Sequence, residues 1–209
     1  ALGHRLLRRG KARALGVGSG GDESCENTVR AVENLLFGQT IDHYAALSMD
    51  AVPILADLVG GVPVTIDTDM TAVDPRLIEG ETVTLEGELA LSYVRARQIV
   101  SDGTNQSRMA RQEQFLRAAW EAWMEKTASG DAVELGTDAL VSLGERLRSD
   151  CTVQKLSRFL ERTEQCDLTV LPAPAGEAKI SEESIAEFYV DDDALEQTVL
   201  KLFYREEIS

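Results

Sequence analysis

One segment, 87–123, constrains the fold most, because it places a cluster of arginines beside an apolar pattern of helical spacing. Four arginines and one glutamine form this cluster: Arg95, Arg97, Arg108, Arg111 and Gln112. The cluster stands out because the formal net charge of the 209-residue chain is -15. A guanidinium is a planar fork of N–H donors that suits carboxylates and phosphates. The segment therefore predicts a site that holds an anion, most naturally a phosphate group.

Apolar residues recur at helical spacing through the second half of this segment. They are Met109, Phe115, Leu116, Ala119, Trp120, Trp123 and Met124. The pattern predicts a helix from about Ser107, which can act as its N-cap, to about Lys126. Arg108 and Gln112 are four residues apart and share one face of this helix. We expect them at the mouth of an apolar cleft, near a helix N-terminus whose N–H groups also favour anions.

The first two arginines leave two interpretations open. Arg95 and Arg97 end a second helix-like run, 89–94, and are two positions apart. Helical residues at that spacing do not face each other, so both reach one ligand only where the chain opens out, as the polar stretch 101–107 allows. The alternative is that these arginines are solvated surface charges that balance nearby glutamates. Spacing alone favours this second interpretation.

Strands and helices alternate along the rest of the chain, as in layered α/β domains. The patterns predict helices after Asp22 and after Ser48, strands at 41–47 and 62–66, a loop or hairpin at 75–86, and a last helix that begins at Asp191-Asp192-Asp193. Cys151 and Cys166 flank another predicted helix and can form a disulfide in an extracellular protein, which would leave Cys25 as a thiol.

Six short motifs follow one another over residues 28–123. They are the helix-like 28–36, then Ile41-Asp42-His43-Tyr44, then Leu58-Val59-Gly60-Gly61-Val62, then Leu85-Glu86-Gly87 with Ala90-Leu91, then Tyr93-Val94-Arg95-Ala96-Arg97, and finally Arg108-x-x-Arg111-Gln112. No single motif is specific, whereas six of them in this order and at this spacing are. Together they resemble the LytR-CpsA-Psr family.

The resemblance implies both a fold and an activity. The fold is α/β, a three-layer α/β/α domain with a central mixed β-sheet, which would span 1–209 as one domain with a flexible segment at 1–22. The activity is that of a phosphotransferase, which attaches a glycopolymer such as a teichoic acid to peptidoglycan or another cell-wall acceptor. Its donor is a polyprenyl-pyrophosphate carrier, and its expected cofactor is Mg²⁺.

The resemblance also implies roles for particular residues. Four side chains would hold the lipid pyrophosphate during catalysis: Arg95, Arg97, Arg108 and Gln112. Two more would bind substrate: Arg111, and Asn105, which stands where the family usually has an acidic residue. An apolar cleft for the prenyl tail would be lined by Phe115, Ala119, Leu55 and Val59.

The beginning of the sequence departs from the family pattern. Family members begin the domain with strands that carry an aspartate and an arginine near the magnesium and the pyrophosphate, whereas this sequence starts at Ala1-Leu2-Gly3. We therefore expect the first strands to be missing together with the metal ligands, so that the metal-binding residues are unknown. The chain is expected to bind lipid phosphate better than it catalyses.

The location expected from the family is the extracellular face of the cell membrane, with an upstream membrane helix as anchor. No segment of this sequence reaches the roughly 18 to 20 apolar residues of a transmembrane helix. Two other functions stay open. One is a non-catalytic module that binds polyprenyl phosphate or wall polymer. The other is a transcriptional regulator, which the acidic charge disfavours because nucleic-acid binding depends on neutralised phosphates.

Overall fold

The computed structural model describes residues 21–96, 105–129, 132–152, 174–180 and 186–204, together with single residues or pairs between 154 and 171. The chain divides into two compact units, one made of Ala1–Tyr44 with Leu171–Ser209 and the other of Ala45–Val170. The expected single domain over 1–209 stays a prediction. The expected flexible segment, 1–22, lies almost entirely outside the described residues.

Six helices and six strands are described. In chain order they are α1 (Asp22–Leu35), β1 (Ala45–Leu47), α2 (Ala51–Leu58), β2 (Val62–Thr65), β3 (Thr82–Leu85), α3 (Gly87–Arg95), α4 (Asn105–Ser129), α5 (Ala132–Leu143), β4 (Leu147–Ser149), β5 (Gly176–Ile180), β6 (Ala186–Val190) and α6 (Asp192–Phe203). A single 3₁₀ turn, Gly144–Arg146, joins α5 to β4. No helix among the described residues is long and apolar enough to cross a membrane.

The strands form three separate antiparallel pairs: β1 with β4, β2 with β3, and β5 with β6. The mixture of helices and strands confirms the predicted α/β class. The predicted central mixed sheet is not formed by the described strands, because each of them pairs with one neighbour and every pair is antiparallel. In this part of the chain the helices therefore pack on short two-stranded pairs and not on both faces of one broad sheet.

The core of the unit Ala45–Val170 lies between the β2–β3 pair and helices α2, α3 and α4. Strand β2 alternates in burial, with Val62 and Val64 inside and Pro63 and Thr65 exposed, as expected for a strand with one buried face. Helix α3 contributes most of the other buried side chains: Leu89, Ala90, Leu91, Tyr93 and Val94. Burial of each large apolar side chain stabilises the fold by about 1.5–3 kcal/mol.

Helix α3 begins at a glycine for a local reason. Gly87 has φ of +46°, and its backbone N–H donates a hydrogen bond of 2.7 Å to Oδ1 of Asp57 near the end of α2. The first N–H groups of a helix have no partner within the helix, and a carboxylate at this end also suits the helix dipole. This contact holds the start of α3 against α2.

Several predicted boundaries are corrected by the structure. The helix expected from about Ser107 to Lys126 is present as α4, but it begins at Asn105, so Ser107 lies inside its first turn and is not the N-cap. The strand expected at 41–47 is limited to Ala45–Leu47, the three residues that pair with β4. The helix expected after Ser48 begins at Ala51, with Asp50 as its N-cap residue.

The other unit contains α1, the β5–β6 pair and α6. The prediction that acidic residues begin the last helix is confirmed, because Oδ1 of Asp191 accepts a hydrogen bond of 3.1 Å from the backbone N–H of Ala194. Leu195 and Val199 are the buried residues of α6. Helix α1 is present, but Gly21 and not Asp22 is its N-cap residue, so Asp22 is the first helical residue, and no residue of α1 is buried.

The turn between α2 and β2 provides a test of this packing. Gly60 and Gly61 both have left-handed φ values, +83° and +93°. A Cβ on Gly60 would meet nothing within 4 Å, whereas a Cβ on Gly61 would lie 2.3 Å from Cγ2 of Thr84 on β3. Gly60→Ala should cost only the left-handed strain, about 1 kcal/mol. Gly61→Ala should cost about 2–4 kcal/mol, because β3 must also shift.

Urea unfolding of the two variants beside the wild type measures both costs. Each serves as the other's control, since the two glycines are adjacent and share the same backbone requirement. Equal losses of stability would contradict the proposed clash with Thr84.

Candidate functional site

The described arginines of the predicted site come together where the C-terminal end of α3 meets the N-terminal half of α4. We call this region the α3–α4 junction and define it as residues 93–96 with 108–114. Nε2 of Gln112 donates a hydrogen bond of 3.2 Å to the carbonyl of Val94, and Nη2 of Arg111 donates one to the carbonyl of Ala96. Two consecutive side chains of α4 thus bind the end of α3.

These contacts have a clear physical origin. The last carbonyls of an α-helix have no partner within the helix, and a cationic donor there also suits the negative end of the helix dipole. Ala96 itself closes α3 through its N–H, which donates to the carbonyl of Ser92 at 3.1 Å. Arg111 and Gln112 therefore have a structural role, which the sequence analysis did not assign to them.

Arg111 is unusual because its charge is buried. Only 9% of the residue is exposed, and its Nε has no hydrogen-bond partner among the described residues. A buried donor without a partner costs about 1–3 kcal/mol, and more when it is charged. A buried guanidinium is normally paired with an anion. The spare N–H of Arg111 is therefore well suited to donate a hydrogen bond to a phosphate oxygen.

Arg95 complements Arg111 in both position and exposure. It lies between Val94 and Ala96, whose carbonyls are both bonded by α4, while its own side chain is exposed. The backbone of Arg95 is thus held in place and its guanidinium faces solvent. Arg108, half-buried, is on the same face of α4 as Arg111 and Gln112, since it precedes them by three and four residues.

Two predicted site residues are not tested by this geometry. Arg97 lies outside the described residues. Asn105 is the first residue of α4, and its side chain lies outside the described part of the chain. Their assigned roles stay predictions.

The residues predicted to line a cleft for the prenyl tail lie at or near the core. Phe115 is 5% exposed and belongs to the core cluster, and Ala119 and Val59 pack at its edge. Leu55 is half-buried on α2. Their contact with a prenyl tail stays a prediction.

The structure adds two residues to the junction. The hydroxyl of Tyr93 donates a hydrogen bond to Oε1 of Gln114, and Nε2 of Gln114 donates one of 2.8 Å to the carbonyl of Thr65 at the end of β2. The sequence contains a weak signal for Tyr93, because a buried tyrosine hydroxyl usually needs a partner. It contains none for Gln114, whose partners are 21 and 49 positions away along the chain.

The environment of Tyr93 raises the pKa of its hydroxyl to about 12. Burial is the main cause, since it disfavours the charged phenolate, and the negative charge of Asp67 acts in the same direction. The positive charge of Arg111 opposes this shift, so Arg111 and Tyr93 influence each other electrostatically. The hydroxyl remains a donor at any physiological pH.

The donor set of the junction does not by itself fit a magnesium ion. Mg²⁺ prefers oxygen ligands, above all carboxylates, in an octahedral arrangement. Among the described residues of Ala45–Val170, no three histidine, cysteine, aspartate or glutamate side chains of this unit converge on one point. The described junction supplies cationic and amide donors, which suit an anion.

Comparison with known proteins places this chain among bacterial relatives. The model of the LytR_cpsA_psr family matches residues 14–201. A curated relative, polyisoprenyl-teichoic acid–peptidoglycan teichoic acid transferase TagU of Bacillus mycoides (strain KBAB4), is 26% identical over 177 residues. The match covers 84% of this chain and 56% of that protein, so the chain spans little more than half of the relative's length.

Two solved structures show a similar fold. The Lin1025 protein from Listeria innocua is 26% identical with a TM-score of 0.62, over 84% of this chain and 74% of that one. B. subtilis TagV is 21% identical with a TM-score of 0.64, over 96% of this chain and 77% of that one. At 21% identity, the similarity to TagV supports a shared fold and nothing more.

The two junction arginines should differ in their effect on stability. Arg111→Ala removes the donor to Ala96 and leaves a cavity, while it also relieves the cost of a buried charge, so we expect a net loss of about 1–2 kcal/mol. Arg95→Ala removes an exposed side chain and should change the free energy of unfolding by less than about 0.5 kcal/mol. Urea unfolding of the two variants compares them directly. Similar losses would show that Arg95, too, is held by the fold.

Tyr93 gives a prediction for alkaline pH. Its folded pKa of about 12 exceeds the ordinary tyrosine pKa of 10.0, so the group favours the folded state fully below pH 10 and loses this contribution as the pH rises to 12. The loss is at most about 3 kcal/mol, since each pKa unit corresponds to about 1.4 kcal/mol. Tyr93→Phe should remove this part of the decline.

Unfolding free energies of the wild type and of Tyr93→Phe, measured at several pH values between 10 and 12, test this prediction. The exposed Tyr204 provides the control. Tyr204→Phe should decline with pH as the wild type does. If Tyr93→Phe also follows the wild-type curve, the assigned environment of Tyr93 is wrong.

Proposed function

Because the chain belongs to the LytR-CpsA-Psr family, we propose that it transfers a cell-wall glycopolymer from a polyprenyl-pyrophosphate carrier to peptidoglycan or another wall acceptor. The arginines of the α3–α4 junction hold the pyrophosphate of the carrier. The name of the Bacillus mycoides relative, a teichoic acid transferase, supports this choice of substrate class.

One observation carries the proposal: the buried guanidinium of Arg111, whose Nε has no partner among the described residues, lies beside the exposed Arg95. A charge buried in this way is costly unless an anion neutralises it. A pyrophosphate contacts both positions at once, since one end can enter toward Arg111 while the other stays near Arg95 and solvent. Surface arginines that only balance nearby glutamates have no need of such burial.

The role of the arginines in the proposed reaction is electrostatic. In the proposed reaction an acceptor hydroxyl loses its proton to solvent and its oxygen forms a bond to the phosphorus that bears the sugar, while the bond from this phosphorus to the bridging oxygen of the pyrophosphate breaks. Polyprenyl phosphate then leaves with the negative charge of that oxygen. Guanidinium groups fixed at the leaving phosphate stabilise this charge as it develops, which is where electrostatic catalysis acts most strongly.

Magnesium stays part of the proposal on the strength of the family resemblance. Since the described junction offers no set of carboxylates for it, its ligands would lie outside the junction. Turnover before and after treatment with EDTA, with re-addition of Mg²⁺, tests this part separately.

We also propose the extracellular face of the cell membrane as the location, with an anchor outside this chain. Protease treatment of intact cells tests this location.

A second candidate is a module that binds polyprenyl phosphate or wall polymer without turnover. One observation favours it: the described residues of the junction offer cationic and amide donors that suit an anion, among them the unpartnered Nε of Arg111. A turnover assay with a lipid-linked glycan and peptidoglycan separates the two functions. A nucleic-acid-binding regulator is disfavoured by the net charge of -15.

Lipid binding tests the proposal directly. The purified chain is incubated with polyprenyl phosphate, separated from unbound lipid and extracted with organic solvent, and the extract is analysed by mass spectrometry. The wild type should retain the lipid, whereas Arg95→Ala should retain at least about tenfold less, since a charged hydrogen bond contributes about 1.5–3 kcal/mol.

Arg30→Ala is the matched control, because Arg30 is an exposed arginine on α1 whose partner is the exposed Glu26. This variant should retain lipid as the wild type does. Equal retention of the lipid by all three proteins, or no retention by the wild type, would refute the proposal that the arginines bind the lipid phosphate.

A further inference from the structure

Gln114 connects three elements of the unit Ala45–Val170 through one carboxamide group. The side chain belongs to α4, its oxygen accepts from the hydroxyl of Tyr93 on α3, and its nitrogen donates at 2.8 Å to the carbonyl of Thr65 on β2. Both functions of the amide are therefore used. Tyr93 is 1% exposed, so the bond from its hydroxyl to Gln114 is partly buried and costly to lose, whereas the bond from Gln114 to Thr65 lies at the exposed end of the link.

The link continues a row of contacts along α4. Arg111, Gln112 and Gln114 bind Ala96, Val94 and Tyr93 respectively. Of the four residues 93–96, three are thus bonded to α4. The fourth, Arg95, has an exposed side chain. The row restrains the backbone of Arg95 relative to α4, from which the arginines on the two helices extend.

We propose that Tyr93 and Gln114 are positioning residues that set the spacing of the arginines for a pyrophosphate in preference to a single phosphate. This inference rests on the proposed function and adds the specificity of its site. Neither side chain needs to touch the ligand. They act through Arg95 and Arg111, because the Tyr93–Gln114–Thr65 link holds the end of α3 against α4 and β2.

The physical argument is one of preorganisation. Arginine side chains repel one another and have many rotamers, so gathering them only when the ligand arrives would reduce affinity. If the fold already holds the arginine backbones at a fixed separation, the cost of bringing the arginines together arises on folding and not on binding. The separation matters most for a ligand with two charged ends. A single phosphate needs only one of the two arginine positions and tolerates a change in their spacing.

The experiment is isothermal titration of the whole chain with inorganic pyrophosphate and, separately, with inorganic phosphate. Tyr93→Phe and Gln114→Ala should weaken pyrophosphate binding roughly tenfold, since small misplacements of binding groups have large effects. Phosphate binding should change by no more than about twofold, because it does not use the spacing. The ratio of the two dissociation constants is the readout, and a purely structural role would leave it unchanged.

Gly60→Ala is the control for stability. Its expected cost, about 1 kcal/mol, matches that of one lost hydrogen bond, and Gly60 makes none of the junction contacts. It should bind both anions as the wild type does. The double variant Tyr93→Phe/Gln114→Ala should be no weaker than the weaker single variant, because both remove the same link.

The outcomes separate this inference from the proposed function. If the wild type binds pyrophosphate and the two single variants keep its affinity and its preference, the positioning role is wrong while the arginine site stands. Losses that add up in the double variant would also overturn the shared link. If the wild type binds no pyrophosphate, the proposed function fails, and the positioning role fails with it.

Discussion

The end of helix α3 is the constraint on which the rest of the site depends. A helix that stops inside a protein leaves carbonyl groups that must find donors, because a buried polar group without a partner is costly. Here the donors are side chains of α4, with Gln112 at Val94 and Arg111 at Ala96. Meeting this requirement brings the end of one helix and the arginines of the next together, so the proposed site arises from the way the fold satisfies its own backbone.

The same side chains therefore serve both the fold and the site. Arg111 uses Nη2 for the end of α3 and leaves Nε without a partner among the described residues. Arg95 is held only by its backbone, and its charge remains available. In the proposed site, rigidity would come from Arg111, which is bonded to Ala96, and access from Arg95, whose side chain is exposed.

The charge of the whole chain makes this local arrangement necessary. With a formal net charge of -15, the protein repels anions at long range. Ions in solution screen that repulsion beyond about 10 Å, whereas a buried guanidinium attracts strongly at short range because little water weakens its field. An anionic lipid carrier would thus be held by contacts at the junction and gain nothing from the protein's overall field.

The sequence by itself determined the elements with a strong local signal. These include the long helix α4, whose apolar periodicity is unambiguous, the helix start at Asp191, and the family, which depends on the order of motifs. Only the tertiary structure decided what those residues do. The partners of Gln114 lie on α3 and β2, far away in the chain, and the structural use of Arg111 depends on where α3 ends. The strand expected at 41–47 failed for the same reason, since only the residues that meet β4 form a ladder. Local sequence patterns indicate which residues favour a helix or can bind an anion. Which residues become hydrogen-bond partners depends on tertiary packing.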